Sequence, residues 1–119
     1  MQRIADFTMI EMMTVNAVIT ILALMLPLSA AQADDAAAEQ LARKSNCLKC
    51  HGIDKKKDGP SLKEIAAKYK GKPDATSKMT TQMTTTPKVK IDGVEEEHPP
   101  LKAKNPDEVA NVVRWILSR

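Results

Sequence analysis

Beyond residue 33 the chain alternates between apolar stripes at helical spacing and short polar segments that contain Gly and Pro. Two of these stripes predict helices from about Ala36 to Ser45 and from about Ser61 to Lys70. Asp34 or Asp35 is suited to cap the first helix, and a Gly-Pro pair precedes the second. Both segments are long enough to bury one face in a small domain.

The last helix has the clearest signals. Asn105 is suited to cap it, and Pro106 stands at its first position. The spacing of its apolar residues predicts one buried stripe, with Trp115 at its edge. The stripe consists of Val109, Val112, Val113, Ile116 and Leu117.

A polar, Thr-rich stretch from Asp74 to Glu97 separates the last two helices. Its spacing allows a short helix around Ala75 to Met83. Lys88 to Ile91 alternates like a strand, but we identify no second strand that would pair with it. The predicted fold class is therefore all-α, with three to four helices.

The first third of the chain has a different pattern. No charged residue occurs from Met12 to Ala33, and Val15 to Leu28 is almost wholly apolar. The segment ends in Ala31-Gln32-Ala33, a small-x-small site. This pattern predicts a secretory signal peptide over residues 1–33, cleaved after Ala33, and an exported, periplasmic domain over residues 34–119. The alternative is an uncleaved membrane anchor.

Charge and composition limit the kinds of function that this chain can have. The 119 residues include 18 Lys plus Arg and 15 Asp plus Glu, and they contain no nucleic-acid-binding motif. A domain this small has a limited core, which a large apolar cofactor would complete. Only two cysteines occur, Cys47 and Cys50, and a disulfide between them would close too small a loop to stabilise the fold appreciably.

Cys47-Leu48-Lys49-Cys50-His51 is a C-x-x-C-H sequence, the pattern of c-type haem attachment. Cysteines three apart project from one side of a helical turn, so that both sulfurs can form thioethers along one haem edge. His51 would then bind the iron of this single covalent haem c. A redox dithiol is a weaker alternative, because no βαβ pattern surrounds the pair. A zinc site using His51 and His98 is also weaker, because the spacing is not that of a zinc finger.

With Gly59-Pro60-Ser61-Leu62, Ile65 to Tyr69 and the capped last helix, this sequence resembles the class I bacterial c-type cytochromes of the c551/c8 type. The resemblance covers nearly all of residues 34–119. It implies a small class I cytochrome c fold whose first and last helices cross beside the haem. It also implies that the Pro60 carbonyl accepts a hydrogen bond from the outer nitrogen of His51.

The chain departs from this family at the second axial ligand. Where these cytochromes have a Met-Pro segment, it has His98-Pro99-Pro100. We therefore expect bis-histidine ligation by His51 and His98, with a carboxylate of Glu95, Glu96 or Glu97 accepting the second imidazole N–H. The competing ligands are Met79 and Met83, and an open sixth site is the remaining alternative. Imidazole ligation predicts a lower reduction potential than thioether ligation.

The predicted function is single-electron transfer between redox protein donors and acceptors, with no enzymatic activity and no nucleic-acid partner. A membrane-bound partner is compatible with this role, and a monomer is expected. The alternative is a protein that binds or senses CO or NO when His98 dissociates. Lys55, Lys56 and Lys57 are either a docking site for an acidic partner or a solvated loop. Tyr69 and Trp115 are expected to line the haem.

Overall fold

The structure is a computed structural model and describes residues 34–119. The predicted signal peptide or anchor, residues 1–33, lies outside the described residues. Within residues 34–119, no helix has the length and apolar character needed to cross a membrane.

Helices dominate the described part of the chain, and a single two-stranded hairpin is inserted before the last helix. The elements in chain order are α1 (Asp35–Lys44), α2 (Cys47–Cys50), α3 (Leu62–Tyr69), α4 (Ala75–Thr84), β1 (Lys88–Ile91), β2 (Val94–Glu97) and α5 (Pro106–Leu117). The all-α class is confirmed, as are the three main helices and the short fourth helix.

Side-chain caps define where the helices begin. The Asp34 carboxylate accepts the Ala37 N–H at 3.0 Å, and the Asn105 side chain accepts the Glu108 N–H at 3.0 Å. Ser61 is the cap of α3 rather than its first residue, and it forms a reciprocal capping box with Glu64. These caps satisfy backbone N–H groups that have no partner inside their own helices.

The core forms around α5, against which α1, α3 and α4 pack. Trp115 is only 1% exposed, so it lies inside the buried stripe and not at its edge. A single amphipathic helix thus holds the other helices together through burial of its apolar face. The buried hydrophobic cluster comprises Ala38, Ala42, Leu62, Met79, Met83, Val109, Val112, Val113, Trp115 and Ile116.

Two hydrogen bonds fasten the segment that leads into α5. The Leu101 N–H donates to the Met83 carbonyl at 2.7 Å. The Lys102 N–H donates to the buried hydroxyl of Ser45 at 3.0 Å. The segment following His98 is therefore held to both α4 and the end of α1.

The hairpin corrects the expectation that Lys88–Ile91 has no partner strand. It pairs antiparallel with Val94–Glu97 through a two-residue turn, Asp92-Gly93. Both turn residues have positive φ, 50° and 84°, as the tight turns that suit the twist of a hairpin require. The acidic run is a strand because cross-strand pairing places Lys88 opposite Glu97 and Lys90 opposite Glu95.

Candidate functional site

The cysteine pair lies on a single helical turn between α1 and the following loop. Asn46, in the left-handed conformation at φ 62°, turns the chain from the end of α1 into α2. Cys47 and Cys50 are half-buried, and within the described residues neither forms a disulfide. Burial, together with the neighbouring Cys50, raises the pKa of the Cys47 thiol. Both sulfurs belong to one short helix, as the spacing predicted.

His51 follows that turn in an extended conformation and is oriented by the loop that returns to it. The carbonyl oxygen of Pro60 lies 2.7 Å from His51 Nδ1. Because a carbonyl only accepts, Nδ1 carries the proton, and Nε2 remains available as a metal ligand. The contact that the family resemblance implied is present.

Gly59 makes this approach of the loop to His51 possible. A Cβ at residue 59 would lie 2.7 Å from His51 Cε1 and 3.0 Å from Nδ1, closer than van der Waals contact allows. The Gly59 N–H also donates to the Cys50 carbonyl at 2.9 Å. Glycine is therefore required at residue 59 for packing against the imidazole, a role beyond that of a helix-starting residue.

His98 lies across from His51, although 46 residues of chain separate them. The centroids of the two imidazole rings are 6.0 Å apart, and the ring planes are inclined by 51°. The backbone N–H of His98 donates to the Pro87 carbonyl at 2.8 Å, and this hydrogen bond fixes the backbone that carries the ring. The fold thus brings the two histidines of the chain together.

This separation suits one metal ion between the two rings. Imidazole nitrogens bind metals at about 2.0 Å and lie about 1.1 Å from their ring centroids, so two axial imidazoles have centroids about 6 Å apart. The observed 6.0 Å matches this value. The residues fit a haem iron with His51 and His98 as axial ligands.

The Nδ1 nitrogen of His98 lacks the partner that the sequence suggested for its imidazole. Nδ1 is buried and makes no hydrogen bond within residues 34–119, so none of the three glutamates accepts from it. Glu95 instead forms an ion pair with Lys88 at 3.2 Å. Burial, with a further contribution from His51, lowers the pKa of His98, which favours the neutral imidazole that ligates metals.

The two methionines that compete with His98 are part of the core. Met79 is 5% exposed and Met83 is 8% exposed, and both project from α4 into the hydrophobic cluster with Trp115. Flexible thioethers are well suited to fill such a cluster. Their burial favours a packing role.

The remaining candidates occupy different environments. Tyr69 is half-buried at the end of α3, and the ammonium groups of Lys68 and Lys72 lie 5.8 and 5.7 Å from its ring centroid. Lys57 donates to the Leu48 carbonyl at 2.7 Å, so at least one lysine of the 55–57 run is attached to the Cys-containing turn. Across residues 34–119, no three His, Cys, Asp or Glu side chains are grouped to hold a metal ion such as zinc. The sheet in these residues is an antiparallel hairpin, not the parallel βαβ unit that a redox dithiol would favour.

Comparison with known proteins identifies the family and the fold. Residues 35–119 match the Cytochrome c family. The fold is similar to the crystal structure of the class 1 cytochrome MtoD from Sideroxydans lithotrophicus ES-1, with a TM-score of 0.70 and 50% identity, over 73% of this chain and 97% of that chain.

Two sequence relatives extend the comparison. Cytochrome c-551 of Pseudomonas aeruginosa is 33% identical over 82 residues, which cover 68% of this chain and 75% of the relative. Cytochrome c-552 of Nitrosomonas europaea is 51% identical over 47 residues, or 40% of this chain and 42% of the relative. The family's small members bind haem c covalently and carry electrons rather than catalyse reactions. The C-x-x-C-H turn, the helical fold and these matches together place the chain in the cytochrome c family, among proteins similar to the c-551 and c-552 class I cytochromes.

Proposed function

We propose that this chain is an exported, periplasmic monohaem electron carrier in which His51 and His98 are the axial ligands of one haem c. Cys47 and Cys50 would hold the porphyrin through thioether bonds. The observation that carries the proposal is the 6.0 Å separation of the two imidazole centroids. It is the separation expected of two rings on opposite sides of one iron.

Each residue of the site has a distinct physical role. The haem, when bound, supplies reversible one-electron exchange at iron. His51 is oriented by the Pro60 carbonyl, which accepts from Nδ1 and thereby makes Nε2 a stronger donor. The backbone N–H of His98 donates to the Pro87 carbonyl. Two prolines follow His98 and restrict the conformation of the chain.

This arrangement favours electron transfer over binding of small ligands. Two imidazoles, one oriented by the Pro60 carbonyl and one on a backbone held at Pro87, would leave a bound iron no vacant coordination position. Imidazole is also a stronger donor than a thioether and favours ferric iron. The proposed carrier therefore has a lower reduction potential than a variant with His/Met ligation.

A redox titration of the purified holoprotein and its His98→Met variant tests the ligand assignment. We expect the variant to have the higher potential, because a thioether stabilises ferrous iron. Low-temperature electron paramagnetic resonance of the ferric wild-type protein should give a low-spin bis-imidazole signal. A far-red thioether charge-transfer band in the wild-type protein would contradict ligation by His98.

Mixing the ferrous protein with carbon monoxide separates a carrier from a sensor. A carrier with two firmly held imidazoles should react slowly and incompletely. A rapid, complete spectral change would instead support a haem protein from which His98 dissociates. Cell fractionation, with the mass of the mature chain, tests export and cleavage after Ala33.

A further inference from the structure

The β1–β2 hairpin has two chemically different faces. Directly opposed residues of antiparallel strands lie on the same face. Val89 pairs with Glu96 and Ile91 pairs with Val94, so these four side chains share one face. The other face carries two Lys and two Glu, namely Lys88, Lys90, Glu95 and Glu97.

The charged face is suited to water and the apolar face is not. On the charged face, Lys88 and Glu95 form an ion pair at 3.2 Å. On the apolar face, Val89 and Ile91 are half-buried, while Val94 is 60% exposed and is the one exposed large hydrophobic residue among residues 34–119. Glu96 is the only charged side chain on that face, and it is exposed. Three neighbouring aliphatic side chains on one face indicate that something apolar covers it.

His98 projects from this same face. Its backbone N–H donates to the Pro87 carbonyl at 2.8 Å, so Pro87 and His98 form one further pair of the hairpin beyond Lys88 and Glu97. Side chains alternate between faces along a strand. The Pro87–His98 pair therefore lies on the face of Val89 and Ile91, opposite to that of Lys88 and Lys90.

The direction of the His98 side chain relates the hairpin to the porphyrin plane. Strand side chains stand roughly perpendicular to their sheet, and an axial imidazole stands roughly perpendicular to the porphyrin. A hairpin that supplies an axial imidazole thus lies roughly parallel to the porphyrin. At about 3.3 Å per residue, the Val89–Glu96 pair is about 7 Å from His98, close to the porphyrin rim.

We infer that the β1–β2 hairpin covers the distal face of the haem, with Val89 turned toward the porphyrin rim. The inference rests on the proposed ligation by His98. The hairpin would exclude water and external ligands from that face, and its pairing would keep His98 over the iron. Ile91 and Val94, next to the turn, continue the same apolar face beyond the porphyrin rim.

Proton and carbon NMR of the ferrous holoprotein tests this directly. The porphyrin ring current should shift the methyl resonances of Val89 out of the ordinary methyl region, while those of Ile91, about 13 Å from His98, should stay within it. Val89→Ala should remove one pair of shifted signals, while Lys90→Ala, on the same strand but the opposite face, should leave them in place. Val89→Thr keeps the β-branched shape and serves if Val89→Ala does not fold.

Carbon monoxide binding gives a second readout. Carbon monoxide can bind only after His98 dissociates. Its association should be several-fold faster in Val89→Ala than in the wild-type protein, because the weakened cover holds His98 less firmly over the iron. The Lys90→Ala variant should react at the wild-type rate. Equal rates in both variants would overturn the covering role.

The controls separate this inference from the function on which it rests. The ring protons of His51 report the haem itself. If they are shifted, the bis-imidazole signal is present and the Val89 methyl signals are ordinary, the hairpin inference alone is wrong. If the His51 signals are ordinary as well, or the ferric protein has thioether ligation, the proposed site and the inference both fail.

Discussion

The Pro60 carbonyl oxygen and His51 Nδ1 lie 2.7 Å apart. Gly59, which directly precedes Pro60, packs against the same imidazole ring. No side chain intervenes at residue 59. The imidazole is therefore held by backbone on its outer edge, which fixes both its protonated nitrogen and its direction.

Replacing Gly59 with Ala should disturb the site directly. The new Cβ would lie 2.7 Å from His51 Cε1 and would force the ring or the loop to move. We expect a loss of about 1–3 kcal/mol in the free energy of unfolding, typical of overpacking, together with a change in reduction potential. Denaturant unfolding and redox titration of the holoprotein measure the two effects.

Gly71→Ala is the matched control for that substitution. Gly71 has φ 73°, and a Cβ there would meet nothing within 4 Å. The Gly71→Ala substitution should lower the free energy of unfolding by about 1 kcal/mol through backbone strain alone and leave the reduction potential unchanged. Equal shifts of potential in both variants would contradict a specific contact between Gly59 and His51.

The burial of both α4 methionines predicts that neither is needed for ligation. Met79→Leu and Met83→Leu conserve apolar volume, so each should cost less than about 1.5 kcal/mol in stability. The absorption and electron paramagnetic resonance spectra should remain those of the wild-type protein. Loss of the low-spin spectrum in either variant would identify that methionine as a ligand.

The capping box at the start of α3 should contribute measurably to stability. The Ser61 hydroxyl accepts the Glu64 N–H at 3.1 Å, and the Glu64 carboxylate accepts the Ser61 N–H at 2.7 Å. Ser61→Ala leaves one helix N–H without its partner and should cost about 1 kcal/mol. Thermal or denaturant unfolding at neutral pH measures it.

The same box predicts a pH dependence in the acid range. Hydrogen bonds from Ser61 lower the pKa of Glu64 in the folded state. A carboxylate with a lowered folded pKa stabilises the fold above its unfolded pKa, and this contribution disappears as pH falls through the folded pKa. Glu64→Gln should flatten the acid limb of the stability profile; an identical limb in this variant would exclude the contribution.

Two substitutions in the hairpin turn test whether the hairpin keeps the His98 backbone in place. Asp92→Asn gives Asn-Gly, which suits a turn with two positive φ angles, and Gly93→Ala strains the residue at φ 84° by about 1–2 kcal/mol. Exchange of the His98 amide hydrogen should be slower in Asp92→Asn and faster in Gly93→Ala. Unchanged exchange in both would show that the Pro87 contact does not depend on the turn.

Asn111 joins α5 to the start of the described domain. Its side chain accepts the Asp34 N–H and donates to the Asp34 carbonyl, each at 2.9 Å. Asn111→Ala removes both hydrogen bonds and should lower stability by about 1–2 kcal/mol, without a spectral change. Hydrogen exchange in α1 should accelerate in parallel.

Local sequence signals determined much of this protein. Asn105-Pro106 and the apolar spacing that follows specify α5, because capping and helical periodicity involve neighbours in sequence. The Cys47–Cys50 spacing likewise specifies two sulfurs on one turn. The strand partner of Lys88–Ile91 was missed, although Asp92-Gly93 between two short segments is a local signal for a hairpin.

Only the tertiary structure decided which distant groups meet. That His98 faces His51 at 6.0 Å, that Trp115 is fully buried, and that both methionines turn inward all depend on packing around α5. The hairpin register, in turn, decides that His98 shares a face with Val89 and Ile91. Such relations involve residues far apart in the chain, so they follow from how apolar faces are buried against one another rather than from any local pattern.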